Sequence, residues 1–234
     1  MAFGIIYMRI LKNSAWLQAF AFSGVLLCST VYADEHNAYV QLNAGASFIP
    51  STRLILESLD SIGYSLYQLP FKYDPGFAAS VALGCRLSNS FRLEGEVMYQ
   101  SNDFNNGQIM VVTSNGTHLW DGAGERRRTA FLLNAYYDFK NSTPFTPFVT
   151  AGLGGYHAQL QYHNSNVEND VDFAYQVGAG VNYKVNDTFS VDLKYRYFAG
   201  VDGNAQFAKE LLPVTAKVFE VSDHQVMAGL RIGF

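Results

Sequence analysis

The stretch Val226-Met227-Ala228-Gly229-Leu230-Arg231-Ile232-Gly233-Phe234 ends the printed sequence, and its residues alternate between two kinds of side chain. Valine, alanine, leucine, isoleucine and phenylalanine share one face, whereas methionine, glycine and arginine share the other. A period of two predicts a β-strand with one apolar face. A second face made of arginine and glycine suits a crowded polar interior better than a soluble core.

Seven further segments have the same alternation, so the sequence predicts eight strands. They cover residues 38–48, 77–87, 91–100, 129–139, 149–162, 173–184 and 189–197. Each is about as long as a membrane-crossing strand, which needs roughly 9–11 residues. In the fifth segment the apolar face changes parity at Gly154-Gly155, and a parity change at a glycine pair predicts a β-bulge.

Short and long connections alternate along these strands. Strands two and three, four and five, and six and seven are joined by short turns, and the other connections are long. Short periplasmic turns and long extracellular loops are typical of bacterial outer-membrane barrels. The predicted fold is therefore all-β: a transmembrane antiparallel up-and-down β-barrel of eight strands. Aromatic residues fall near both ends of the strands, as expected for two interfacial girdles.

The first 33 residues have the pattern of an export signal. Arg9 and Lys12 precede the apolar stretch 15–27, and Val31-Tyr32-Ala33 fits a small-residue cleavage site. We predict cleavage after Ala33, so that residues 1–33 are a signal peptide and residues 34–234 are the barrel domain. Because residues 1–7 are unusually apolar before a basic region, translation could start at Met8 instead of Met1.

Composition excludes several classes of protein. Beyond residue 33 there is no apolar stretch of the roughly 20 residues that a transmembrane helix needs. The net charge of −4 provides no basic surface for nucleic acid. The histidines are scattered, so no metal site and no cofactor are predicted. Cys28 lies in the signal, which would leave Cys85 without an intramolecular disulfide partner after cleavage.

The polar strand faces carry charges that are expected to point into the barrel. Eight apolar faces can face lipid without cost, and the charged residues then fill the lumen and must pair. A barrel of about eight strands has an interior that side chains can just fill. We predict an ionic network that plugs the lumen, with a narrow charged pore as the alternative. The predicted network consists of Arg86, Arg92, Glu94, Glu96, Asp192, Lys194, Arg196 and Arg231.

Several stretches resemble the small outer-membrane β-barrel family, which includes OmpA-type barrels, opacity-type surface proteins and rickettsial major surface antigens. They are residues 91–96, 134–139, 146–154, 173–181 and 192–197. This resemblance implies an outer-membrane location and an adhesion, antigen or structural role, with occasional weak porin behaviour. It also implies that Leu230, Ile232 and Phe234 form the signal read by the barrel-assembly machinery.

The long loops are the expected places for binding. Residues 53–63 predict a short helix with Ile55, Leu59 and Ile62 on one face, either exposed for a host or neighbouring protein or folded over the barrel mouth. Asn115-Gly116 predicts a hairpin that carries strands three and four beyond the membrane. Arg126, Arg127 and Arg128 would lie at the outer rim, where they hold lipopolysaccharide phosphates or pair with Asp121 and Glu125.

An enzyme is the third hypothesis. His163 and Ser165 have the i, i+2 spacing that places two strand residues on one face. The spacing resembles that of lipid A deacylases, in which histidine would act as the base for serine. No third orienting group is defined, and we therefore predict that the protein is not an enzyme.

Overall fold

The computed structural model describes the backbone of residues 37–50, 52–60, 63–113, 116–162, 165–168, 171–200, 214–217 and 221–234. Every regular element in these ranges is a strand. In this part of the chain, no helix has the length and hydrophobicity that a membrane crossing requires. The strands are β1 (Ala38–Phe48), β2 (Thr52–Asp60), β3 (Gly63–Phe71), β4 (Gly76–Arg86), β5 (Phe91–Thr113), β6 (Gly116–Asp138), β7 (Phe145–Tyr162), β8 (Ser165–Glu168), β9 (Asp172–Lys184), β10 (Phe189–Gly200), β11 (Val214–Lys217) and β12 (Val221–Gly233).

Eight antiparallel strands close into a barrel. The order is β6-β5-β4-β1-β12-β10-β9-β7, and pairing of β6 with β7 completes the ring. The terminal strand pairs with β1 from Val226 opposite Ala46 to Gly233 opposite Tyr39. The predicted eight-stranded antiparallel barrel is confirmed, and β1 has the predicted limits.

The barrel is apolar outside and polar inside. Leu83 and Leu193 are 50% and 56% exposed, whereas Gln41 and Glu94 are 0% and 1% exposed. This inverted distribution follows from the strand period of two, because every second side chain points to the lumen. The outward faces meet lipid, for which leucine, valine and phenylalanine are the compatible residues.

Two neighbouring strands extend well beyond the common height of the barrel. β5 and β6 are 23 residues each, and they remain paired from Phe91 opposite Tyr137 to Thr113 opposite Gly116. The hairpin predicted at Asn115-Gly116 is confirmed for its two strands. One register shift, between Asn105 and Gln108, lies in this extension.

The helix predicted in residues 53–63 is wrong. β2 and β3 pair as an antiparallel hairpin, and β11 adds a third strand to this small sheet. The short apolar run Leu54-Ile55-Leu56 fits a strand as well as a helix, and pairing with β3 and β11 favours the extended form. Ile62 lies outside the described residues.

The β-bulge predicted at Gly154-Gly155 is also wrong. The register of β7 against β6 continues without a shift from Leu153 opposite Leu133 to Tyr156 opposite Ala130. A Cβ on Gly154 would lie 1.8 Å from the Phe131 carbonyl oxygen, so this glycine permits a close approach of the two strands. With no bulge, Tyr156 points inward and is 2% exposed.

The cysteine prediction concerns the chain after cleavage and stays a prediction. In the uncleaved chain Cys85 is disulfide-bonded, and no described cysteine is free. Cys28 lies outside the described residues.

Candidate functional site

The candidate site is the barrel interior, where alternation directs polar side chains from every wall strand. β5 contributes the largest group, because Arg92, Glu94, Glu96 and Gln100 all lie on its inward face. β10 contributes Asp192, Lys194 and Arg196. Each of these charged residues is at most 3% exposed. Charges this deeply buried require partners, so their pairing defines the site.

Near the short turns, Arg92 is surrounded by acceptors and aromatic rings. Its Nε and Nη2 donate to the two carboxylate oxygens of Asp138, both at 2.9 Å, and its Nη1 donates to Oε1 of Glu94 at 3.0 Å. The Tyr39 hydroxyl donates to the same Glu94 oxygen at 2.7 Å. The Arg92 guanidinium also lies 4.2 Å from the centroid of the Tyr136 ring. Bidentate pairing and stacking together fix its position.

Asp192 accepts several hydrogen bonds in a second cluster near the short turns. Its Oδ2 accepts from Nη2 of Arg231 at 2.7 Å and from Nε2 of Gln41 at 2.5 Å, and its Oδ1 accepts from Asn182. Nε of Arg231 donates in turn to Gln41 at 3.2 Å. These residues belong to β1, β9, β10 and β12, so the cluster connects four neighbouring strands.

At mid-height an ion pair crosses the lumen. Nη1 of Arg196 lies 2.9 Å from each carboxylate oxygen of Glu96. Asn134 donates to Glu96 at 2.7 Å, and Arg196 also donates to Gln176 at 2.9 Å. Glu96 is on β5 and Arg196 is on β10, which are four positions apart in the ring of eight. The pair therefore spans the barrel between opposite walls.

A second ion pair crosses nearer the long loops. Arg128 on β6 donates to Asp223 on β12, and these strands are again four positions apart. Its guanidinium lies 3.8 Å from the centroid of the Phe198 ring. Below it, an apolar cluster fills part of the lumen; its members are Met98, Ala130, Leu132, Tyr156, Ala174 and Phe198.

Comparisons with known proteins give the family. The outer membrane protein β-barrel domain matches residues 19–231. The chain belongs to this family. The outer membrane protein PagN of Salmonella typhimurium is 30% identical over 188 residues, which cover 74% of this chain and 78% of that protein. The family and its relatives place the chain in the outer membrane of Gram-negative bacteria.

Other proteins are similar at lower sequence identity. An uncharacterized protein of Brucella abortus is 28% identical over 163 residues, which cover 58% of this chain and 57% of that protein. Neisserial surface protein A is 21% identical with a TM-score of 0.49, and the match covers 84% of this chain and 97% of that chain. OprG of Pseudomonas aeruginosa is 11% identical with a TM-score of 0.48, and the match covers 85% of this chain and 97% of that chain.

The structure places seven of the eight residues of the predicted lumen network inside this family barrel. The seven buried residues are Arg92, Glu94, Glu96, Asp192, Lys194, Arg196 and Arg231. Arg86 is exposed at the short-turn rim instead, because it is the last residue of β4.

Sequence reasoning missed two acidic partners. Asp138 lies on the inward face of β6, between Tyr137 and Phe139, and that alternation is visible in the sequence. Asp223 precedes the terminal segment at Val226, and only the extension of β12 to Val221 brings it into the lumen.

The three consecutive arginines separate. Arg127 is exposed and donates to Glu125 at 2.6 Å, which is the predicted alternative to lipid contact. Arg126 lies partly buried, 5.9 Å from the centroid of the Tyr73 ring. Arg128 is 2% exposed and paired with Asp223, so it does not reach lipid phosphates as predicted. The period of two explains this outcome, because Arg126 and Arg128 face inward and Arg127 faces outward.

The residues of the predicted assembly signal lie on the outer face of the barrel. Leu230 and Phe234 point outward, 40% and 62% exposed, and Ile232 shares their face. His163 is outside the described residues, and of Ser165 only the backbone, at the start of β8, is described. Within the described ranges, no group of three or more histidine, cysteine or acidic residues is arranged to hold a metal ion.

Proposed function

We propose that this protein is a surface-exposed outer-membrane anchor whose lumen is closed by an ionic plug and whose extended strands present an interaction surface. The single observation that carries the proposal is the pair of ion pairs across the lumen. Glu96 with Arg196 and Arg128 with Asp223 join opposite walls at two heights. Side chains that meet across the diameter leave no continuous aqueous path at those heights, and eight-stranded barrels are narrow enough to be filled in this way.

The interaction role follows from what a closed barrel can do. A plugged lumen carries no flux, so the function lies on the outer surface. There the chain forms long paired strands: β5 and β6 are 23 residues each, and β2, β3 and β11 form a separate sheet. Main-chain pairing makes these extensions more defined than open loops, which suits recognition of a host or neighbouring surface molecule. An adhesion or antigen-type role is our proposal.

Cell binding by whole bacteria tests this role. The intact protein is expressed in a non-adherent laboratory strain beside a variant in which residues 106–122 are replaced by a two-residue Asn-Gly turn between Asn105 and Ala123. We expect adherence to host cells with the intact protein and background adherence with the variant. A control replaces Asn141 and Ser142, in a short turn at the opposite end, and should adhere like the intact protein. If the strain with the intact protein adhered only at the background level, the adhesion role would be contradicted.

The alternatives give different results. A narrow low-conductance porin would show uniform steps in a planar bilayer. A lipid A-modifying hydrolase would change the mass of lipid A in cells that express the intact protein and not in cells that express His163→Ala. We propose neither activity.

The proposal includes the route to the membrane. Residues 1–33 would be removed after Ala33, and Leu230, Ile232 and Phe234 would be read by the barrel-assembly machinery. Lipopolysaccharide would surround the outer half, with exposed Arg127 the nearest of the three arginines to its phosphates. The intact mass of protein extracted from outer membranes tests the cleavage site and also separates a start at Met1 from one at Met8 if the precursor accumulates.

A further inference from the structure

The short-turn mouth of the barrel contains a pocket with an excess of basic side chains. Arg86 from the end of β4, Lys140 from the turn after β6, Lys184 from the end of β9 and Arg231 from β12 all line it. The one acidic residue in the lining is Asp187. Four separate segments of the chain thus direct positive charge to one concavity at the periplasmic end.

Two of these charges are compensated. Nζ of Lys184 lies 2.6 Å from Oδ1 of Asp187, and Nη2 of Arg231 lies 2.7 Å from Oδ2 of Asp192. These two pairs leave the positive charges of Arg86 and Lys140 as the excess.

No described carboxylate pairs with Arg86 or Lys140. Neither belongs to an ion pair in the described part of the chain. Asp138 attracts both residues electrostatically, but both of its oxygens accept hydrogen bonds from Arg92. Among the described residues, the Arg86 guanidinium and the Lys140 ammonium therefore line the same mouth without an ion-pair partner.

The rest of the lining suits an oxyanion. Ser190 and Thr188 bring hydroxyl donors to the same pocket. Partial desolvation, together with the nearby Arg86, Arg92 and Arg231, outweighs Asp138 and lowers the pKa of Lys140 below its ordinary 10.5. A bound anion would relieve this repulsion. Guanidinium groups match phosphate oxygens in a two-pronged geometry, and lysine adds a point charge.

We propose that the short-turn mouth binds an anion carrying a phosphate group, held chiefly by Arg86 and Lys140. The phosphate comes either from a free phosphate compound in the periplasm or from the head group of an anionic phospholipid of the inner leaflet. The site lies at the end opposite the extended hairpins and does not depend on the interaction role proposed above.

Calorimetric titration with inorganic phosphate tests the site. Full-length protein extracted from outer membranes is used in phosphate-free octyl glucoside micelles, with chloride adjusted to keep ionic strength constant. We expect saturable binding, weakened about tenfold or more in an Arg86→Gln, Lys140→Gln double variant, because charge-assisted hydrogen bonds are the strong ones. Both residues are exposed and outside the buried network, so the variant should keep its heat-dependent gel mobility shift.

A matched control removes two positive charges elsewhere. Lys72 and Arg127 are exposed at the opposite rim, and the Lys72→Gln, Arg127→Gln variant should bind phosphate like the wild type. Loss of binding in both double variants would reduce the effect to net charge and overturn the site. Equal affinity for acetate, or heats that never saturate, would overturn it as well.

The same titration in lipid nanodiscs separates the two sources. If a head group occupies the mouth, discs that contain phosphatidylglycerol should suppress phosphate binding, whereas discs of phosphatidylcholine alone should not. If phosphate binds equally in both discs, the natural ligand is a free phosphate compound. Absence of phosphate binding in phosphatidylcholine discs would overturn the proposal.

Discussion

The two halves of the barrel interior are held together in different ways. Near the short turns, Arg92 uses Nε, Nη1 and Nη2 in hydrogen bonds to Asp138, Glu94 and Tyr39. Near the long loops, Arg128 donates through Nη2 alone, and its buried Nε and Nη1 have no hydrogen-bond partner. A buried donor without a partner costs about 1–3 kcal/mol, so the same residue type stabilises one half more than the other.

The outer half of the lumen also contains more apolar side chains than the short-turn half. The short-turn half is filled by charged groups, amides and the rings that stack on Arg92. The outer half replaces part of this network by Met98, Leu132, Tyr156 and Phe198. An apolar filling needs no partners, and it can close the lumen where the ionic network is less complete. The following predictions separate these two kinds of closure.

Arg92→Ala should have the largest effect. It leaves Asp138 and Glu94 buried without their cation, and breaking a buried pair in this way costs about 3–5 kcal/mol. Urea unfolding in detergent micelles, followed by far-UV circular dichroism, measures the free energy of unfolding. Arg127→Ala, at an exposed arginine on β6, is the control and should lower the urea midpoint only slightly, because an exposed pair contributes little. Equal urea midpoints for the two variants would contradict the claim that the buried network stabilises the barrel more than the rim pair does.

Arg128→Ala should cost less, about 2 kcal/mol, because the substitution removes two unpartnered donors together with the Asp223 pair. An Arg128→Met, Asp223→Leu double variant replaces the pair by apolar groups and should be as stable as the wild type or more stable. The same unfolding measurement applies. A loss larger than that of Arg92→Ala would reverse our ranking of the two halves.

Phe198→Leu comes next, at about 1–2 kcal/mol. The substitution loses the edge contact with Tyr156, at 6.1 Å between ring centroids, and the ring beneath the Arg128 guanidinium. Phe173→Leu is the matched control, since Phe173 is 52% exposed on the lipid face. If Phe173→Leu destabilised the barrel more than Phe198→Leu, the inward position of Phe198 would be contradicted.

The smallest effect is expected at the outer rim. Hydrogen bonds from Arg127 and Ser101 lower the pKa of Glu125 below its ordinary 4.5. A carboxylate with a lowered pKa contributes stability above pH 4.5 and loses it as the pH falls through the folded-state value. Glu125→Gln should therefore be slightly less stable than wild type at pH 7 and equal to it in strong acid. A difference that grew on acidification would contradict this pairing.

The short-turn half is also the half that the sequence predicts better. Arg92, Glu94, Asp192 and Arg231 stand in strands whose alternation is uninterrupted, so the period of two assigns them inward. In the outer half, the parity change predicted at Gly154-Gly155 would place Tyr156 on the apolar, lipid-facing side, whereas Tyr156 is buried in the lumen. Because the lumen is partly apolar there, the hydrophobicity of a residue no longer indicates whether its side chain points to the lipid or to the lumen.

The second limit of the sequence-based prediction is the identity of the pairing partners. No pattern in one strand indicates that Arg128 meets Asp223, because the two residues are 95 positions apart. Cross-lumen pairs depend on the closure of the ring and on its radius. Most residues of the lumen network are therefore predicted from the sequence, whereas Asp138, Arg128 and Asp223 and the pairings between strands are not.

Single-channel recording in a planar bilayer tests the closed lumen most directly. We predict no steady openings of uniform size for the purified wild-type barrel. A Glu96→Ala, Arg196→Ala variant, which removes a cross-lumen pair without leaving a lone charge, should open measurably more often. Steady, uniform steps from the wild-type protein, unchanged in this variant, would contradict the plug and favour a narrow porin.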